Sequence, residues 1–163
     1  RIESGTGFDV FGIQFTPFAI SHDAADPIGL TIEKDGVRIG IVLDLGYVSN
    51  LVSERLKGCD AIIIESNHDI NMLKVGPYPW SLKQRVMSRR GHLSNDSVAE
   101  YLANGFDGRA RHVLLAHLSQ KNNLPELAHL SAQRALEERS RVACSQTRLD
   151  VACPDEIGKT VRF

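Results

Sequence analysis

The chain has 163 residues, of which 42% are hydrophobic and 24% charged, and its formal net charge is -1. This size and composition predict one globular domain with a substantial core. The near-zero charge excludes a global attraction to nucleic acid or to a membrane, so any such preference must come from a local patch. There are three cysteines, Cys59, Cys144 and Cys153, and no C-x-x-C pair. The odd number favours a reduced, cytoplasmic protein, and the spacing argues against a zinc site made of thiolates.

The first quarter of the chain predicts antiparallel strands. Residues 8–20 alternate aromatic and polar side chains, which indicates one or two strands, and Pro17 places this segment at a sheet edge or a strand start. Residues 28–34 and 37–44 flank Asp35-Gly36, a two-residue hairpin signal. The returning strand therefore ends close to the polar loop that precedes the hairpin.

The rest of the chain predicts alternating helices and strands. Helices are expected at 49–57 (capped by Ser49 or Asn50 and ended by Gly58), 81–90, from Asn95 or Asp96 to about Asn104, and 125–143 behind Pro125. Strands are expected at 60–65, 111–117, near 147–152 and near 159–163. This order predicts an α/β fold in which helices cover a sheet, without a membrane-spanning segment.

Five polar residues follow apolar strands or break helices, at positions where α/β proteins place ligand sites. They are His22, Asp44, Glu65, His92 and His117. Imidazole together with carboxylate suits zinc, manganese or iron, and one aspartate between two ions can bridge them. The alternative is that each residue is structural, as a hydrogen-bonded histidine or a helix-capping acid. Of the other histidines, His68 follows Glu65 closely and could support the site, whereas His112 and His129 are expected to be structural or solvated.

A basic run provides a second functional signal. Residues 74–92 contain no acid and five cations, with two aromatic residues among them; they are Lys74, Lys83, Arg85, Arg89, Arg90, Tyr78 and Trp80. Cations interleaved with aromatic rings could bind a phosphate backbone and stack on bases. The alternative is a helix with a solvated basic face.

These motifs, in this order, resemble the metallo-β-lactamase fold superfamily of metallohydrolases, and within it the YycJ-type (WalJ) branch, a relative of tRNase Z. The resemblance spans about residues 8–140 and lies in His22-Asp23-Ala24, Leu43-Asp44-Leu45-Gly46, Glu65-Ser66-Asn67-His68-Asp69, Gly91-His92-Leu93-Ser94-Asn95 and Leu115-Ala116-His117-Leu118-Ser119. It implies a phosphodiesterase or nuclease that cleaves DNA exonucleolytically with two zinc or manganese ions.

The resemblance also implies a role for each matching residue. His22, Asp44 and His117 match metal ligands, with Asp44 bridging the two ions. His92 matches a histidine that protonates the leaving oxygen, oriented by Glu65. We expect contacts with a nucleic acid substrate from Asn67, His68, Lys83, Arg85, Ser94 and Asn95.

The sequence departs from the superfamily in one respect: it contains no His-x-His-x-Asp-His run, and residues 1–21 are too short to hold one. We therefore expect residues 1–163 to be a single domain that forms the C-terminal half of the four-layer αββα fold. Alone it should be catalytically incomplete, as part of a longer protein or a product of truncation or cleavage. An uncovered sheet face would favour pairing with the missing N-terminal half or a homo-oligomer.

Two other functions are compatible with the sequence. The chain could be a non-catalytic binding or assembly module in which the histidines and acids are structural and the basic run contacts a partner. It could also act on a small ester or thioester, although the basic, aromatic stretch before His92 favours a nucleic acid.

Overall fold

The computed structural model describes residues 2–140 and 147–163, which form a seven-stranded sheet whose strands lie in chain order. The strands are β1 (Phe8–Val10), β2 (Ile13–Ala19), β3 (Ile28–Lys34), β4 (Val37–Val42), β5 (Ala61–Glu65), β6 (His112–Ala116) and β7 (Arg148–Val151). Neighbouring strands are antiparallel from β1 to β4 and parallel from β4 to β7.

The helices connect the strands of the parallel half. They are α1 (Asn50–Leu56), α2 (Ile70–Val75), α3 (Trp80–Val86), α4 (Asn95–Glu100), a π-helical turn (Tyr101–Gly105) and α5 (Pro125–Ser140). No helix in residues 2–140 or 147–163 combines the length and hydropathy that crossing a bilayer requires.

The predicted hairpin is confirmed. Asp35 and Gly36 have φ angles of 51° and 80°, as the two central residues of a type I′ turn require. Pro17 lies within β2 near the edge of the sheet: β1 pairs only with residues 13–15, and beyond them the Gly5 N–H donates to the Pro17 carbonyl at 2.9 Å. This antiparallel half brings the loop after β2 beside the end of β4, where the Gly46 N–H donates to the Ser21 carbonyl at 2.8 Å.

The two faces of the sheet differ in burial. One face packs against the helices, and its side chains, such as Val42, Ile62 and Leu115, are fully buried. The other face carries a row of half-buried apolar side chains in register across four strands: Leu30, Ile41, Ile63 and Leu114. Parallel strands that are apolar on both sides are typical of sheets covered on both faces.

Several predicted boundaries are corrected. Helix α3 ends at Val86 instead of residue 90, because the chain turns back and the His92 N–H donates to the Val86 carbonyl at 2.9 Å. The cap of α4 is Ser94, whose Oγ accepts from the Ser97 N–H at 3.1 Å. Residues 159–163 form no strand, and α2 was not predicted. The predicted helical residues 141–143 and Cys144 lie outside the described residues.

Candidate metal centre and active site

A cavity of about 520 Å³ opens at the edge of the sheet where the parallel strands end. Four of the five predicted chemical residues line it, each from a different segment: His22 after β2, Asp44 after β4, His92 before α4 and His117 after β6. The parallel pairing of β4, β5 and β6 places their carboxyl ends at one edge. The structure thus gathers side chains that are up to 95 positions apart in the sequence.

Two of these residues have strained backbones. Asp44 and His117 have φ angles of 55° and 56°, in the left-handed region that non-glycine residues rarely adopt. Such conformations cost of the order of 1–3 kcal/mol each and persist where the surroundings fix them. The Asn67 side-chain amide donates to the His117 carbonyl at 3.0 Å, and the N–H after Asp44 is held by a buried carboxylate. Strain at both strand ends, fixed in this way, is typical of functional sites.

That carboxylate belongs to Glu65, which is fully buried and accepts four hydrogen bonds. Its Oε1 accepts from His92 Nδ1 at 2.8 Å and from His117 Nδ1 at 2.6 Å. Its Oε2 accepts from the backbone N–H groups of Leu45 and Leu93, each at 3.1 Å. Glu65 therefore orients two imidazole rings and anchors the backbone on both sides of the cavity.

The hydrogen bonds fix the tautomers of three histidines. Burial raises the pKa of Glu65, but the hydrogen bonds from His117 and His92 outweigh burial and hold that pKa below its ordinary value. At neutral pH Glu65 is thus an ionised, acceptor-only group, and both rings must carry their proton on Nδ1. His22 is fixed in the same way, because its Nδ1 lies 2.9 Å from the Gly91 carbonyl, which can only accept. In each neutral ring Nε2 is left as the acceptor or metal ligand.

The three rings form a row. The centroids of His22 and His92 are 5.0 Å apart, and those of His92 and His117 are 5.4 Å apart. The hydrogen bond to Glu65 raises the pKa of His117 above its ordinary value, against the opposing effect of burial. Glu65 thus favours the protonated form of the ring beside it and makes the neutral ring more basic.

The donor set fits a divalent metal ion. Asp44, Glu65, His92 and His117 each offer a ligand atom within 4.8 Å of the others. The Asp44 side chain is 51% exposed, with Oδ1 3.3 Å from His117 Nδ1 and 3.6 Å from His92 Nδ1. Glu65 is a poor ligand despite its proximity, because both its oxygens already accept two hydrogen bonds. Because the Nδ1 atoms are engaged with Glu65, the atoms left for a metal in this group are the Asp44 carboxylate oxygens and the Nε2 atoms of His92 and His117. His22 is not one of these four residues, although it lines the same cavity. Oxygen with imidazole nitrogen suits zinc and manganese.

Of the predicted substrate contacts, Asn67 and Arg85 line the cavity. The guanidinium of Arg85, however, forms a bidentate ion pair with Asp23: Nε and Nη2 both donate to the carboxylate, with Nη2 to Oδ1 at 3.0 Å. This pair lowers the pKa of Asp23 to about 2. Arg85 therefore braces the loop next to His22, and its charge is already balanced.

The other four predicted contacts do not line the cavity. Lys83 is buried, and its Nζ donates to the Lys74 carbonyl at 2.7 Å, so it fastens α3 to the end of α2. Ser94 caps α4. Asn95 is buried in a side-chain network with Ser66 and Asn123. His68 is 2% exposed, and burial lowers its pKa to about 4. These four residues support the walls of the cavity from behind.

Sequence reasoning missed one part of the cavity wall. The loop after His117 contributes Leu118, Ser119, Gln120, Lys121 and Asn122, and Tyr78 belongs to the same lining. Lys121 gives no signal in the sequence, because it stands apart from the basic run and only the fold brings it to the cavity. Trp80, predicted alongside Tyr78, is 61% exposed and does not line the cavity.

Comparison with known proteins agrees with this geometry. The family model described as the Beta-lactamase superfamily domain matches residues 1–118, and the chain belongs to this superfamily. The crystal structure of the metallo-β-lactamase fold protein YhfI from Bacillus subtilis superposes with a TM-score of 0.65 at 12% identity, over 93% of this chain and 50% of that one. The predicted fold is therefore confirmed.

Two curated relatives are more similar in sequence. Exodeoxyribonuclease YycJ of Bacillus anthracis is 40% identical over 127 residues, which cover 78% of this chain and 48% of that protein. Exodeoxyribonuclease WalJ of Streptococcus pneumoniae serotype 2 is 38% identical over 126 residues, covering 77% and 47%. The chain spans about half the length of the curated relatives it matches.

Proposed function

We propose that this chain carries the acid–base half of a metal-dependent phosphodiesterase that degrades DNA from an end. The observation that carries the proposal is Glu65, which holds the Nδ1 protons of His92 and His117 and leaves their Nε2 atoms for chemistry. Similarity to two proteins named exodeoxyribonuclease supports DNA as the substrate. The small-ester alternative gains no support from these relatives.

In this proposal His22, Asp44 and His117 would hold a divalent ion, zinc or manganese. When bound, such an ion activates water and neutralises charge on the phosphoryl oxygens. His92 acts as the general acid: in its charged form Nε2 carries a second proton, which it gives to the oxygen that leaves phosphorus. The ionised Glu65 keeps the ring in place, because its Oε1 lies 2.8 Å from His92 Nδ1.

We further propose that ligands outside these 163 residues complete the metal centre. Among the described residues, Glu65 and Asp23 are already hydrogen-bonded, which leaves Asp44 and the histidine Nε2 atoms as ligands, whereas a dinuclear site needs more donors than these. The matched relatives are about twice the aligned length, which leaves room for such ligands. The half-buried row of Leu30, Ile41, Ile63 and Leu114 supplies an apolar surface on which that polypeptide, or a second copy of the chain, would pack. We propose a cytoplasmic location, in keeping with DNA as the substrate.

The test is hydrolysis by the full-length protein loaded with zinc or manganese. We expect it to release nucleotides from linear DNA and to leave closed circles intact. Replacing the general acid, as in His92→Asn, should lower the rate on DNA by about 100-fold or more. It should lower the rate far less on bis(p-nitrophenyl) phosphate, whose leaving group needs no proton.

His129→Asn, on the surface of α5, is the matched control and should behave as the wild type. Metal-loaded protein that hydrolyses no phosphodiester would contradict the proposal and favour the non-catalytic binding module. Equal losses on both substrates in His92→Asn would show that His92 is not the general acid.

A further inference from the structure

The loop that follows the metal-ligand candidate His117 is held in place at both ends. The Ser119 N–H donates to the Asn67 carbonyl at 2.8 Å, and the Asp69 N–H donates to the Asn122 carbonyl at 2.9 Å. Within the loop, the Asn122 N–H donates to Ser119 Oγ at 3.2 Å. Lys121 projects from this fixed turn with an exposed side chain and lines the cavity. These hydrogen bonds fix the backbone from which the Lys121 side chain extends.

The charges in the cavity distinguish Lys121 from the other cation there. Besides the histidines, the described lining contains two basic side chains, Arg85 and Lys121. Arg85 is neutralised by its bidentate pair with Asp23. In the described part of the chain no carboxylate pairs with Lys121. Its ammonium group is therefore available to an anionic ligand in the cavity.

An aromatic ring lies in the same lining. Tyr78, in the turn before α3, is half-buried and borders the cavity, together with Leu82 on α3. Stacking on a tyrosine ring suits any nucleobase, because every base has a π-face. Trp80, on the outer surface, is too far out for this role. The cavity thus offers an aromatic ring for a base and one unpaired cation for a phosphate.

We infer that Lys121 and Tyr78 form a nucleotide subsite beside the histidine row: Lys121 binds a phosphate next to the one that is cleaved, and Tyr78 stacks on the adjoining base. The inference rests on the proposed function, since it assigns that enzyme's substrate contacts. The cation that binds the substrate is then Lys121, in the loop after β6, and not Lys83 or Arg85 of the basic run. Arg85 serves instead to hold Asp23 and the loop of His22.

The experiment measures binding of a fluorescent single-stranded DNA 10-mer to the full-length protein by anisotropy, in chelator to prevent cleavage and over a series of salt concentrations. For Lys121→Ala we expect about tenfold weaker binding at low salt. The slope of log K against log salt should fall by about 0.7, as for one lost phosphate contact on a single strand. A merely structural role would not change this slope. Lys121→Arg should keep both values close to the wild type.

Matched variants complete the design. Tyr78→Ala should weaken binding by about tenfold at every salt concentration, and Tyr78→Phe should not. Lys34→Ala, an exposed lysine at the far hairpin turn, should change neither Kd nor slope. Arg85→Ala should leave the slope close to the wild type.

The outcomes separate the subsite from the function on which it rests. If the wild type binds and degrades DNA while Lys121→Ala keeps the full salt slope and Tyr78→Ala keeps its affinity, the subsite is overturned and the enzyme assignment stands. If Arg85→Ala loses the slope instead, the cation has been misassigned. Protein that neither binds nor hydrolyses DNA would overturn both.

Discussion

The two walls of the cavity differ in how firmly their side chains are held. In the histidine wall, formed by His22, His92 and His117 with Glu65 behind them, each ring donates its Nδ1 proton to a fixed oxygen. In the loop wall, formed by Tyr78, Arg85 and Lys121, Arg85 is paired with Asp23, whereas Tyr78 and Lys121 line the cavity and Lys121 has no ion pair in the described chain. Groups that transfer protons or hold metal need fixed orientation, whereas groups that contact a flexible polymer need available charge and surface. Under the proposed function, the histidine wall would carry the chemistry, and Tyr78 and Lys121 in the loop wall would contact the substrate.

The largest loss of stability is expected from a change at Glu65, in the histidine wall. Glu65→Gln keeps the shape but places an NH₂ group against donors that now lack an acceptor. Leaving buried donors unpaired costs about 1–3 kcal/mol for each group, so we expect the free energy of unfolding to fall by about 3 kcal/mol or more. Urea denaturation of the metal-free protein measures this, and the pKa of His117 should fall towards its ordinary value in an NMR titration.

Glu33→Gln, an exposed carboxylate on β3, is the control for this change and should leave stability unaltered. A Glu65→Gln variant as stable as the wild type, with an unshifted His117, would mean that Glu65 does not organise the wall.

The space behind the histidine wall should be dry, and His68 reports on it. Burial lowers the pKa of His68 from 6.5 to about 4, so the folded state holds this ring neutral. Between pH 6.5 and pH 4, His68 is protonated in the unfolded chain but remains neutral in the folded chain. The contribution to stability is thus complete above pH 6.5 and lost progressively down to pH 4, amounting to about 3 kcal/mol.

The measurement compares the pH dependence of unfolding in the wild type and His68→Gln, both metal-free. The variant should lack this part of the slope between pH 6.5 and 4, whatever its stability at neutral pH. His129→Gln controls for loss of a histidine as such. Parallel curves for the wild type and His68→Gln would place His68 in a wet environment.

The smallest effect is expected in the loop wall. Arg85→Ala removes the partner that holds the pKa of Asp23 at about 2. That pKa should rise towards 3.8, whereas the urea midpoint should hardly move, because exposed ion pairs contribute little to stability. An NMR titration of the Asp23 carboxyl checks this, with Arg90→Ala as the control from the same basic run. An unchanged Asp23 pKa would show that Arg85 does not brace the loop next to His22.

The sequence predicted those parts of the molecule that depend on local signals. Asp35-Gly36 specified its hairpin, and polar residues at strand ends predicted the side chains that now share a cavity. Local signals could not predict the role of a residue when that role depends on whether the fold buries it. Lys83 and Lys121 are the same residue type, but the fold buries Lys83 against the Lys74 carbonyl and exposes Lys121 in the cavity.

The four hydrogen bonds of Glu65 were equally inaccessible to the sequence. They come from three segments. The parallel pairing of β5 with β4 and β6 brings Leu45 and His117 to the carboxylate, and the hydrogen bond from the Asn67 N–H to the Leu93 carbonyl holds the third segment there. Helix α2 was not predicted because six residues are too few to show a helical hydrophobic period. Its N-cap, Asp69, is recognised only in the structure, where the side chain accepts from the Met72 N–H.

The most direct test of the division between the two walls is the metal content of the full-length protein, determined by elemental analysis after purification without chelator. We expect the wild type and Lys121→Ala to hold the same number of zinc or manganese ions per chain, and His117→Ala and Asp44→Asn to lose metal. Equal metal content in all four proteins, or none in the wild type, would contradict the assignment of the histidine wall as the metal centre.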